Sequence, residues 1–248
     1  MNEHGILIVA LVLYTCSALF YLGVNKRAGD IVISLGIMAN AAGLIMRGFV
    51  DGSWFPALMI DEKLSLPLFL ALISLTFSLT GRKTPSRVVA LALVLCSFAA
   101  FLPAPAQALP SAKTQLPVGS AFFLTEAISI ALFVTSGVLA LAALLFHRDT
   151  DQAIRQCIVW GFVIFTICQV LGAVWEFAGW SYPFSWSPRH LASASVWCLY
   201  AALLHAGVSR ISPRVRNIFT AAGLVPVSFI MFYHEFSRVI VSFSEMIP

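Results

Sequence analysis

Apolar runs, each close to the length that a bilayer demands, follow one another through nearly the whole of this chain and leave few folds open to it. A hydrocarbon core of roughly 30 Å takes about 20 apolar residues per helix, and lipid offers no partner to an unpaired backbone amide. Charged and Pro/Gly-containing breaks divide the runs at residues 5–24, 31–50, 64–80, 88–104, 120–146, 157–179, 191–208 and 218 to about 241. The expected fold is therefore all-α, a polytopic membrane bundle of about eight transmembrane helices forming one integral membrane domain over residues 1–248. Composition excludes the soluble alternative, with 60% hydrophobic and 10% charged residues and a mean hydropathy of +0.92. The first run is followed by Asn25, Lys26 and Arg27 without a small-residue cleavage site, so it is expected to be a retained helix rather than a signal peptide.

Charge orients the bundle. Lys26, Arg27, Arg82, Lys83, Arg87, Arg148, Arg155, Arg210, Arg214 and Arg216 fall at one set of ends, ten of the fifteen Lys and Arg. The positive-inside rule turns those ends to the cytoplasm and both termini outward. The net charge of +4 then reflects orientation in a lipid bilayer and is no argument for nucleic acid.

One outward segment stands apart. Residues 172–205 read GAVWEFAGWSYPFSWSPRHLASASVWCLYAALLH, and Trp175, Trp180 and Trp186 fall within twelve positions between two membrane-length runs. An outward loop over 175–190 that carries these rings, with Tyr182 and Phe184, suits either a planar apolar ligand or the headgroup layer of the bilayer. The other outward loops say less. One carries Trp54 with Asp51, Asp61 and Glu62 and reads as a solvated turn, or as a short segment lying on the membrane. The next, PAPAQALPSAKTQLPVGS, reads as an extended connection.

Polar groups at membrane depth are costly and therefore informative. His205, near the inner end of the seventh run, could bind a metal such as haem iron through a ring nitrogen, or simply hydrogen-bond a carbonyl or reach headgroups. Glu126, about two turns into the fifth run, must be neutral, paired or wet. Glu176 is placed to meet Arg189 and His190 across the loop in surface pairs of small value. His234, Glu235 and Arg238 are expected at the outer boundary. The five cysteines form no CxxC and read as small apolar side chains. No P-loop, HExxH or GxSxG is present, and Asp149 and Asp151 read as a solvated turn.

The segment 172–205 resembles the tryptophan-rich segment of the cytochrome c assembly family, the CcsA/CcmC-type membrane proteins that handle haem. Against a CcsA-like pattern of approximately GAxWAxxxWGxYWxWDPKETWxLxxWxxYAxxLH, it matches without a gap at Gly172, Ala173, Trp175, Trp180, Trp186, Pro188, Trp197, Tyr200, Ala201, Leu204 and His205, with Arg189 in place of Lys. Weaker similarity covers LYTCSALFYLGVNKR, GLIMRGFVDG and SAFFLTEAISIALF, the last against a family segment of the form SxWLxxHVxxAF.

The resemblance implies that haem, as haem b, is received at a transmembrane site and moved to the outer surface. There Trp175, Trp180, Tyr182, Phe184 and Trp186 would form a platform for the macrocycle, flanked by two outer histidines. His205 matches the family's transmembrane ligand and is the expected metal-binding residue. Glu126 stands where the first outer histidine is implied, and His234 is the nearest candidate for the second. Ser187 replaces the family's Asp, Ser181 a Gly, Pro183 a Tyr, Phe184 a Trp and His190 a Glu.

The resemblance further implies a bacterial inner membrane protein with the aromatic loop on the periplasmic side. Its partners would be other membrane subunits and a c-type cytochrome, and its role that of a haem-binding assembly factor rather than a self-sufficient enzyme. The alternative is a repurposed, non-catalytic subunit of a respiratory or photosynthetic cytochrome or quinone complex that has lost the haem ligands. A transporter is a weaker third reading, since Asn40, Glu126 and Gln169 permit it but no internal repeat is visible.

Overall fold

The computed structural model describes residues 3–23, 25–50, 59–101, 116–147, 150–206 and 211–232, and of residues 50 and 59–62 the backbone alone. Its elements are α1 (Glu3–Leu22), α2 (Lys26–Val50), α3 (Met59–Leu79), α4 (Lys83–Phe101), α5 (Pro117–Phe146), α6 (Asp151–Trp180), α7 (Pro188–Ala206), α8 (Pro213–Ala222) and α9 (Leu224–Met231). The described residues form no strand. Five helices, α1, α2, α4, α5 and α6, are long and apolar enough to cross a membrane, and α3 carries a shorter apolar stretch, Lys63–Leu79.

Several helices begin earlier than the apolar runs suggest, because proline opens them. Pro117, Pro188 and Pro213 are each the first residue of a helix, where the missing N–H costs nothing and the fixed φ already fits. The eighth run, expected as one span from 218, is divided into α8 and α9 at Gly223. Pro226 explains the division, since it has no N–H to donate to the carbonyl of Ala222. The rest of that run, with His234, Glu235 and Arg238, lies outside the described residues, as do Trp54 and most of the extended connection.

Packing between α1 and α2 follows a heptad of small against large. A Cβ on Gly29, Gly36 or Gly43 would meet Tyr21, Tyr14 or Leu7 at 2.8, 2.7 and 2.9 Å respectively. The three glycines and the three large residues both recur every seven positions, so two antiparallel helices meet along one stripe. Between apolar helices in lipid, such close approach supplies attraction that the hydrophobic effect cannot. The fully buried Tyr14 also accepts a hydrogen bond at its hydroxyl from Asn40 Nδ2, at 3.3 Å.

The centre of the bundle is α5, which packs against α3, α4, α6, α8 and α9. Its face toward α6 and α7 is aromatic, with Phe133 stacked on Tyr200 at 3.7 Å and edge-on to Phe165 at 5.6 Å. Cys157 and Cys168 are buried in agreement with the small-apolar reading, whereas Cys198 is exposed on the outside of α7. Asp151, expected on a solvated turn, instead opens α6 and accepts from Arg216 Nη2 at 2.9 Å. Both side chains are partly exposed, so this tie between α6 and α8 contributes little.

The heptad contact gives a direct test. Gly36→Val is expected to overpack the Tyr14 ring and to destabilise the chain by about 1–3 kcal/mol, read as a lowered thermal midpoint in detergent.

Candidate functional site

The aromatic segment is less of a loop than its sequence suggests. Helix α6 runs on through Trp175 to Trp180 and α7 starts at Pro188, so only residues 181–187 are non-helical. Ser181 ends α6 in the left-handed region, at φ 64°, with its N–H bonded to the Phe177 carbonyl. That is the position where helices favour glycine, and the family pattern has glycine there. Ser187 opens α7 as its cap, its Oγ accepting from the His190 amide at 3.3 Å. Serine thus performs the capping work of the aspartate it replaces.

Arg189 and His190 are neighbours in sequence but are sent to different helices. Turning about 100° between successive residues, α7 directs Arg189 at α5 and His190 at α6. Arg189 Nη2 donates to Glu126 Oε2 at 2.6 Å, with the Glu126 side chain fully buried and that of Arg189 10% exposed. The guanidinium also lies near the faces of Phe122 and Phe123, 5.9 and 6.0 Å from their centroids. This corrects the expectation of a surface pair for Arg189. Of the three states open to Glu126, the structure shows the paired one.

His190 meets Glu176, as expected from the sequence, with Nε2 3.1 Å from Oε1. Its Nδ1 lies 2.8 Å from Ser185 Oγ and 2.7 Å from Ser187 Oγ. In the neutral ring, Nε2–H donates to the carboxylate and Nδ1 accepts from a serine hydroxyl, so both ring nitrogens are engaged.

The rings divide into a packed base and an exposed rim. Trp175 is buried, stacked on Phe122 at 5.8 Å and edge-on to Phe123 at 5.4 Å. Its indole sits directly over Gly119, where a Cβ would come within 2.8 Å of Nε1, and Phe122 covers Gly172 in the same way at 2.9 Å. Trp180 stands edge-on to Trp175 at 5.4 Å, and Phe184 bridges Trp186 and His190, both at 5.4 Å. Trp180, Tyr182 and Phe184 are about half exposed and Trp186 is 82% exposed.

Phe122 and Trp175 of the base and Phe184 of the rim line a mainly apolar cleft of about 210 Å³, whose polar wall is Gln169, Glu176, Arg189, His190 and Ser193. Of the residues singled out from sequence, the structure brings Glu126, Trp175, Trp180, Phe184 and Trp186 together around this end. It does not bring His205. That residue is exposed in the last turn of α7, 16 positions after Arg189, or about 24 Å along the helix.

Phe122 and Phe123 were missed by the sequence reading, although they precede Glu126 by four and three positions and so share its helix face. No group of three or more His, Cys, Asp and Glu arranged for a metal ion occurs among the described residues.

Two comparisons bear on what this arrangement does. The family model described as cytochrome C assembly protein matches residues 6–241. Curated relatives include the cytochrome c biogenesis protein CcsA of Synechococcus sp. (strain CC9605), 27% identical over 82% of this chain and 82% of that one. The CcsA proteins of Thermosynechococcus vestitus and Synechococcus sp. (strain RCC307) are 38% and 33% identical over 29% of this chain. Those two matches span only 23% and 24% of the relatives' own lengths.

Two substitutions test the geometry. Glu126→Ala, which takes the carboxylate away from a buried guanidinium, is expected to cost about 3–5 kcal/mol, whereas Glu126→Leu combined with Arg189→Met is expected to be close to neutral. Ser181→Gly is expected to stabilise by about 1 kcal/mol, because it relieves the left-handed strain. Thermal unfolding of the purified chain reads all of these.

Proposed function

The chain belongs to the cytochrome c assembly protein family, and on that premise we propose that it handles haem as a substrate for cytochrome c biogenesis at its aromatic end. The supporting observation is the exposed rim of Trp180, Tyr182, Phe184 and Trp186 on a packed base of Trp175, Phe122 and Phe123. Flat rings of this kind bind the face of a porphyrin, and their polar edges tolerate water. A cleft of about 210 Å³ is too small to enclose a macrocycle, so the rim receives it as a shelf.

The described residues do not fit a bis-histidine iron site at this end. Glu126 holds the place of one implied histidine and is committed to Arg189, and both nitrogens of His190 are engaged. No step is therefore routed through iron ligated there. The protein's part is to hold the porphyrin plane at the shelf and to present its edge to an apocytochrome.

In this reading the chain crosses a bacterial inner membrane eight times with both termini and the shelf on the periplasmic side, as the placement of ten of its fifteen basic residues supports. His205, exposed at the opposite end of α7, is the ligand on the receiving side for haem b, through a ring nitrogen. Membrane subunits and a c-type cytochrome are the proposed partners. The Glu126–Arg189 pair favours a second reading, a scaffold in which an ion pair has replaced a ligand and the chain serves as a non-catalytic subunit of a cytochrome or quinone complex.

An optical spectrum of the detergent-purified chain, oxidised and then dithionite-reduced, with pyridine haemochrome quantification, separates the two. Near-stoichiometric b-type haem is expected, falling at least tenfold in His205→Ala and several-fold in Trp180→Ala combined with Trp186→Ala. A folded, haem-free preparation that stays so when haem supply is raised, and that carries a stoichiometric membrane partner, supports the second reading.

A further inference from the structure

The end of the bundle opposite the aromatic cleft carries a second, separate cavity. Helices α1 and α3 finish there and α2 and α4 begin there, and between them lies a pocket of about 190 Å³ lined by Tyr21, Lys26, Ser78, Lys83, Ser86 and Arg87, among others. Three cations thus converge on a space little larger than a phosphate group with its first waters. Arg87, exposed and part of the pocket lining, is held in place by Nε, which donates to the Tyr21 carbonyl at 2.8 Å.

The nearby carboxylate, Asp30, makes no ion pair with these cations among the described residues and offsets their charge only in part. Asp30 does not line the pocket, and its Oδ1 already accepts from the hydroxyls of Tyr21 and Ser78. Ser86 supplies an independent sign of a missing ligand. It is 2% exposed, it lines the pocket, and its hydroxyl, beside that of Tyr21, makes no hydrogen bond of standard geometry. Buried hydroxyls rarely stay unpaired, and a water or an ion is one group that completes them. Two helix N-termini and two C-termini meet here, so their partial charges largely cancel and the positive charge of the pocket is that of its side chains.

We propose that this pocket is a binding site for a phosphate-class anion, with Lys26, Lys83 and Arg87 supplying the charge and Ser86 a hydroxyl donor. An anionic phospholipid headgroup and free inorganic phosphate share that chemistry. The site's place at the end of four helices, beside membrane-length apolar surface, suits the headgroup, as basic pockets between transmembrane helices commonly do. The proposal is independent of what the aromatic cleft does.

The test uses the full chain in nanodiscs, with the thermal midpoint as readout. Phosphatidylglycerol is titrated into phosphatidylcholine discs, and inorganic phosphate is titrated separately against discs of phosphatidylcholine alone. Phosphatidylglycerol is expected to raise the midpoint saturably. Lys26→Gln with Lys83→Gln should weaken its half-saturation roughly tenfold or more, the weight of two cations at an anionic surface.

Lys83 is exposed and Lys26 half-exposed, so this variant is expected to fold. Ser86→Ala, which leaves the charge untouched, should weaken binding several-fold. Saturation by inorganic phosphate alone, lost in the same variants, would uphold the site and assign it to the soluble anion. Arg27→Gln with Arg214→Gln, exposed cations outside the pocket, is the control. An equal loss in that control, or no difference between Lys26→Gln/Lys83→Gln and the parent chain with either anion, overturns the proposal.

Discussion

Hydrocarbon accepts no hydrogen bond, and the rest of this structure depends on that refusal. Each stretch of backbone in the bundle must satisfy itself, which leaves helices as the described architecture and pushes irregular chain to the ends. Where the ladder does fail inside an apolar run, at Pro226, the helix divides into α8 and α9 instead of passing through unchanged. The same solvent removes the hydrophobic drive between helices, so the bundle is held by shape. The seven-residue register of Gly29, Gly36 and Gly43 against Tyr21, Tyr14 and Leu7 is one such fit, and Trp175 seated over Gly119 is another.

Within that frame one ion pair shapes the aromatic end. Glu126 and Arg189 are buried together between α5 and α7, and neither charge would tolerate that position alone. Their contact ties the start of α7 to α5 through side chains, while His190 faces α6 and Glu176 and the short 181–187 connection leaves Trp186 exposed. An arginine in the place of the family's lysine suits this work, since a planar guanidinium can pair with a carboxylate and also lie near Phe122 and Phe123. The paired replacement, a carboxylate where an imidazole is implied and an arginine to neutralise it, is a coherent change of chemistry at one spot.

The two ends of the bundle present opposite surfaces. One is aromatic and holds its charges in closed pairs. The other keeps Lys26, Lys83 and Arg87 around a hollow, with Asp30 nearby bonded to the hydroxyls of Tyr21 and Ser78. Such a division follows from the needs of a protein that works across a membrane, where each end meets a different medium.

Fold class was legible in the sequence because hydropathy and length are local properties, and lipid converts them directly into helices. The tryptophan-rich segment was legible too, since eleven matches in thirty-four ungapped positions do not depend on any contact. Ser187 and Pro188 as the start of α7 could be read in the same local way.

Partnership could not be read locally. Glu126 and Arg189 are 63 positions apart, and no periodicity says that they meet; Arg189 and His190 are adjacent, and no spacing says that they part. The extent of the loop likewise depended on α6 continuing to Trp180, which packing of Trp180 against Trp175 supports. What the sequence by itself determined was a membrane bundle of helices with an aromatic segment between two of its apolar runs, because hydropathy and length are local. Which charges are buried, which rings are base and which are rim, and where a cavity remains were decided only by the tertiary structure, because those depend on how helices distant in sequence are rotated against one another.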